Sequence, residues 1–105
     1  LGRLENAEGL LDGECWGRRS RSIVAEGPID GRLVRVEIVD ANGNPRHLTW
    51  WHARKYGLLA ANPFGRRAFE GRGESGAMTI TRASPLRLRY AVNLQTGLKS
   101  GAEDV

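Results

Sequence analysis

The sequence predicts an all-β fold, either an antiparallel β-sandwich or the C-terminal part of a larger one. Three observations carry this. Apolar and polar residues alternate with a period of two in several runs, the pattern of strands buried on one face. Turn-forming residues separate those runs at short intervals. No stretch of any length repeats with a helical period, apart from a short turn within residues 2–11. At 105 residues the chain is the size of one domain, and residues 1–105 read as a single β-domain, a fragment or short version of a larger one.

The clearest strand is Leu86, Leu88, Tyr90, Val92 and Leu94, interleaved with Arg87, Arg89, Ala91, Asn93 and Gln95. Val34, Val36 and Ile38 alternate with Arg35 and Glu37 in the same way. Met78–Thr81 is short and β-branched, and Ile23-Val24-Ala25 reads as extended. Between them, residues 27–31 (Gly-Pro-Ile-Asp-Gly) should reverse the chain, and Asn42-Gly43 with Pro45 should end a ladder. Asn62-Pro63-Phe64-Gly65 is a further break, and the glycines at 71, 73 and 76 mark a loop tip. Five or six strands result, with residues 1–13 and 97–105 expected as flexible ends.

Composition excludes several classes. No apolar run approaches the roughly 20 residues of a membrane helix, so no membrane partner is expected. Cys15 is the one cysteine, so no intrachain disulfide can form. With two histidines besides, no zinc knuckle of ordinary spacing fits, and neither a metal nor a cofactor is expected. Lys and Arg number 16 against 12 Asp and Glu, a net charge of +4. All the cations except Lys55 and Lys99 are arginine, which favours bidentate contacts with carboxylate or phosphate. The arginines alternate with acids and apolar residues, and no nucleic-acid motif appears, so nucleic acid is not the expected partner. Whether the chain is cytoplasmic or exported is not legible.

Residues 40–65 differ from the rest, for they hold both histidines, Trp50, Trp51, Tyr56 and Phe64. In an extended chain Trp50, His52, Arg54 and Tyr56 share a face, while His47 and Trp51 face the other way. An aromatic wall with an imidazole and a guanidinium suits a polar ligand with flat apolar patches, such as a saccharide, or an anion held by Arg54. The competing reading is that the rings are core or cross-strand pairs and the histidines satisfied surface groups. Pro45 and Pro63 stop the ladder at either end. A one-residue bulge between them would bring His47 and His52 to one side, so that Arg46, His47, His52, Arg54 and Asn62 converge on a concave surface.

This segment resembles the C-terminal part of a bacterial family described as PmoA-like. The matching positions are Asp40, Asn44, Pro45, Arg46, His47, Thr49, Trp51, His52, Arg54, Tyr56, Gly57, Leu58, Asn62, Pro63, Phe64 and Gly65. Ala41, Asn42, Leu48 and Trp50 depart from its pattern. Trp16-Gly17-Arg18-Arg19, residues 27–31, Gly73-Glu74-Ser75 and Leu86–Tyr90 resemble the family elsewhere. The resemblance implies a large sandwich of which this chain supplies the last strands, and a connection with carbohydrates. It leaves an enzyme, a sugar-binding module and a structural domain without catalysis all open. In the enzyme reading His52, His47 and Asp40 are the catalytic residues. Arg46, Trp51, Arg54, Tyr56 and Asn62 bind the ligand. Exposed strand edges imply a homo-oligomer.

Overall fold

The computed structural model describes residues 2–55, 57–71 and 77–98. It is all-β and antiparallel. The strands are β1 (Arg3–Asn6), β2 (Ser22–Ile29), β3 (Arg32–Asp40), β4 (Trp50–Arg54), β5 (Leu58–Asn62) and β6 (Tyr90–Leu98). A 3-10 turn (Asp12–Cys15) and one short helix, α1 (Arg66–Glu70), complete the described elements. One sheet has the order β1-β2-β3-β6, and β4 and β5 form the second.

The β2–β3 hairpin is tighter than the five-residue reversal expected at 27–31. Strand β2 continues to Ile29, and only Asp30 and Gly31 turn, with φ of 50° and 77°. Two positive φ angles match the twist of the flanking strands, and an Asp-Gly pair supplies them at low cost. At the N-terminus the expectation of a flexible end fails. Residues 3–6 pair with β2, and Leu4 is buried, because its apolar side chain lands on the inner face of the sheet. Met78–Thr81 forms no strand, and β6 starts at Tyr90 rather than Leu86.

The second sheet gains a partner from the segment before β2. Gly17 N donates to Trp51 O (2.7 Å), Trp51 N to Arg18 O (3.1 Å) and Ser20 N to Thr49 O (3.2 Å). The chain thus runs beside β4, then crosses to the larger sheet within Ser20–Ser22. That crossing ties the two layers at one corner. Between them lies the core of Leu4, Cys15, Ile23, Trp51 and Ala53, with Leu10, Ala25, Ile38, Leu59 and Ala61 packed on it.

The layers do not cover each other fully. Register places Leu4, Ala25, Val36 and Leu94 in one row across the inner face, and Ile23, Ile38 and Val92 in the next. Exposure climbs along each row, from 2% at Leu4 to 65% at Leu94, and from 0% at Ile23 to 62% at Val92. The small sheet shields β1 and β2 and leaves β3 and β6 progressively open. An apolar cavity of about 450 Å³, reaching Val34, Val36 and Leu59, marks where the cover thins. The outer face carries the charged ladder, with Arg3 between Glu5 and Glu26, and Arg35 and Glu37 bonded to Gln95 and Asn93.

Cys15 is fully buried, and its thiol donates to Leu10 O at 3.3 Å. Burial pushes the thiol pKa up, and Asp12, Glu14 and Glu5 add to the rise. A thiol reagent should therefore leave the native chain unlabelled and react completely once denaturant is added. Rapid native labelling would contradict this placement of the 3-10 turn.

Candidate functional site

The loop joining β3 to β4 is built on one carboxylate. Asp40 ends β3 on the inner face and is buried. Its Oδ1 accepts from Asn44 Nδ2 (2.7 Å), and its Oδ2 accepts from Thr49 N (3.0 Å) and lies 2.7 Å from His47 Nδ1. An ionised carboxylate only accepts, so His47 presents Nδ1–H to it. The imidazole keeps 22% of its surface exposed, and Nε2 has no bonded partner among the described residues. This is how a buried acid fixes a histidine tautomer while the second ring nitrogen stays open for proton exchange.

Asn44 closes the same loop onto the strand leading to β6. Its Nδ2 donates to Arg89 O (2.6 Å), and its Oδ1 accepts from Arg89 N (2.7 Å). Tyr90, opposite Asp40 in the ladder, feels the site as well. Burial pushes its phenol pKa up, and the Asp40 carboxylate pushes it further the same way.

Arg46 is a strut of this loop. With φ at 59° it occupies the left-handed region, which an L side chain adopts at a cost of roughly 1–2 kcal/mol. Its guanidinium donates to Pro63 O (3.2 Å) and Ala77 O (2.8 Å). Arg19 braces the loop from outside. It donates to Leu48 O (2.8 Å) and Arg46 O (3.2 Å), and stacks 4.4 Å above the Trp50 ring.

His52 belongs to a second cluster. Along β4, Trp51 and Ala53 enter the core, while Trp50, His52 and Arg54 face away from it. The His52 ring meets Trp16 and Phe69 edge-on, each at 5.9 Å between centroids, and Trp16 meets Phe69 at 4.9 Å. The Arg54 guanidinium lies 4.7 Å over Trp16. Helix α1 brings in Phe69 and Glu70, and Glu70 accepts from Trp50 Nε1 at 2.7 Å. Gly65 permits this approach, for a Cβ there would sit 2.5 Å from the Phe69 ring. Beside the cluster runs an open groove of about 730 Å³, lined by Trp16, Gly17, Arg18, Arg19, Phe69 and Glu70.

The expected convergence on one concave surface does not occur. Strand β4 pairs with β5 in unbroken register, so no bulge reverses its parity. His47 precedes the strand, and Asp40 holds it in the loop. Among the described residues no ring contact or hydrogen bond joins the two imidazoles. Trp51 is not a ligand wall. It is fully buried, and its Nε1 donates to Ser20 O at 2.8 Å, because odd parity in β4 sends it inward. Asn62 Oδ1 caps the following turn by accepting from Phe64 N (2.9 Å), so its carbonyl serves the backbone. Tyr56 and the resemblance at 73–75 lie outside the described residues. Asn44, Arg19, Trp16, Phe69 and Glu70 were not singled out as site residues. Trp16, next to Gly17 and a pair of arginines, was the signal available for the groove. Among the described residues no three His, Cys, Asp or Glu side chains gather to hold a metal ion.

A family model described as a family of unknown function, DUF6807, matches residues 1–104. The chain belongs to this family. No curated protein and no solved structure matches it. Membership in DUF6807 fixes kinship across nearly the whole chain, including the Asp40–Thr49 loop and the α1 groove. Among the described residues no helix is long and apolar enough to cross a membrane.

Proposed function

We propose that this chain is a carbohydrate-related domain in which His47, held by Asp40, is the working polar group. The observation that carries the reading is the buried Asp40 carboxylate 2.7 Å from His47 Nδ1, with the imidazole partly open to solvent. A histidine so held can take a proton from a sugar hydroxyl at Nε2 and return it, while the carboxylate stabilises the charged ring. Without chemistry, the same nitrogen is a fixed hydrogen-bond partner for that hydroxyl. The aromatic and guanidinium lining of the nearby groove supports a saccharide, as does the PmoA-like resemblance of residues 40–65.

One observation favours a second reading, a structural loop without activity. Asp40 also accepts from Thr49 N and Asn44 Nδ2, so it would be needed even without His47. His47→Gln separates the two. Titration with a panel of soluble saccharides, followed by calorimetry and product analysis, should show binding or turnover in the native chain. The variant should lose about tenfold or more of either, with an unchanged circular dichroism spectrum. Loss of turnover with affinity kept marks catalysis, and loss of affinity alone marks a binding module. A variant that binds and turns over as the parent does would leave only the structural reading.

The reading extends to assembly, with a second copy of this chain covering the open β3–β6 face. Val92 and Leu94 stand exposed on it, and Tyr90–Leu98 carries no charge and no proline to blunt the sheet edge. Sedimentation should show association that rises with concentration and that Leu94→Lys abolishes. A monomer at every concentration would contradict it.

A further inference from the structure

We propose that the groove beside α1 is a subsite for an anionic sugar, a ring carrying a carboxylate such as a uronate. The inference rests on the saccharide reading and adds the charge of the ligand. Its volume of about 730 Å³ falls within the roughly 300–1,000 Å³ of small-molecule sites. One wall is aromatic, with Trp16 and Phe69 perpendicular at 4.9 Å, and such rings accept the apolar C–H face of a sugar.

The charge on the other walls decides the class. Among the described residues the ion pairs are Arg3 with Glu5 and Glu26, and His47 with Asp40, none of which lies in the groove. Arg18 is exposed and pairs with no described carboxylate. Arg19 spends its donors on two backbone carbonyls, which leaves its charge uncompensated. Arg54 stacks on Trp16 and adds a third positive charge against that ring. Glu70 is the one acid in the lining, and its Oε2 is held by Trp50 Nε1. A guanidinium surplus at an aromatic wall suits a planar carboxylate, which it can grip with two parallel hydrogen bonds. Glu70 remains able to accept from a ring hydroxyl through Oε1. Trp16 Nε1 itself is buried and has no partner among the described residues, so the ring and not its N–H faces the ligand.

Arg19 also joins the groove to the dyad. The carbonyls it holds belong to Arg46 and Leu48, the residues on either side of His47. A ligand bound in the groove therefore meets, in Arg19, a side chain that also holds the segment carrying the imidazole.

The test compares three probes on the whole chain by calorimetry, namely a galacturonic acid trisaccharide, the neutral galactose trisaccharide and acetate. The acidic trisaccharide should bind at least about tenfold more tightly than the neutral one, and Arg18→Gln should remove that advantage. Arg18 is an exposed side chain, so the variant keeps the fold. Equal affinity for the acidic and neutral trisaccharides would overturn the anionic subsite and leave the saccharide reading standing. Acetate binding as tightly as the uronate would overturn it too, as a plain anion site. If no saccharide binds, both readings fall. An acidic preference that survives Arg18→Gln would contradict the assignment to this groove.

Discussion

Replacing Trp51 with alanine should unfold a large share of the chain under native conditions. The indole is fully buried between the two sheets and its Nε1 donates to Ser20 O at 2.8 Å. Truncating a buried tryptophan costs roughly 3–5 kcal/mol through lost burial and the cavity left behind. An ordinary domain holds only about 5–15 kcal/mol in total, and an inner face left open over β3 and β6 puts this one low in that range. The lost bond also strands the Ser20 carbonyl at the corner where the chain changes sheets. Urea denaturation followed by circular dichroism reads the effect. A loss below about 1 kcal/mol, of the size expected for an exposed residue, would return Trp51 to the surface role that its place among the aromatic residues first suggested.

The second large effect is at Asp40. Changing it to alanine leaves Thr49 N without its acceptor and orphans one N–H of Asn44 Nδ2, whose other N–H keeps Arg89 O, both in buried positions. Each orphaned buried N–H costs about 1–3 kcal/mol, so the two together should cost roughly 2–6 kcal/mol. Amide exchange at Thr49 should accelerate before that of β2 and β3, since the loop loosens while the sheet persists. His47→Ala should cost less than the Asp40 change, roughly 1–2 kcal/mol, because the ring is partly exposed and Asp40 keeps its other two donors. The contrast matters for function. If both substitutions destabilise equally, His47 is a structural prop, and the proton-transfer reading loses its basis.

The strands were legible where one face is apolar and the other polar. Val34, Val36 and Ile38 alternate cleanly with charged residues, and they fall in β3 on the inner face. Alternation also put Trp50, His52 and Arg54 on one side of β4 with Trp51 opposite. What alternation could not supply is the sign of each face. Trp50 and Trp51 are both buried, one under α1 and Arg19 and the other in the core, so aromatic content alone does not say which side is wet. Leu86 and Leu88 continue the period of β6 but lie before it, since pairing with β3 ends at Asp40–Tyr90, where the Asn44 clamp on Arg89 takes over. Strand β1 was missed because Arg3–Asn6 is short and mostly polar, and only Leu4 reaches the apolar core.

The site was legible in part. Asp40 and His47 were both named, but the bulge invoked to join His47 to His52 was not needed by the chain. A carboxylate seven residues before His47 reaches it directly, and nothing in strand parity reveals a loop contact of that kind. The groove depends on helix α1, whose five residues are too few to show a period, and on a glycine at 65 that leaves room for the Phe69 ring. Such contacts arise from packing between distant segments, which local pattern does not encode.

In the proposed reading the loop built on Asp40 holds His47 for a saccharide. Proton–nitrogen correlation spectra of the imidazoles, recorded while saccharide is added to the intact chain, test it most directly. His47 should keep its proton on Nδ1 throughout, and its Nε2 signal should move in proportion to ligand bound. An Nε2 signal that stays fixed while ligand saturates another surface, or a His47 ring that exchanges tautomers freely, would contradict it.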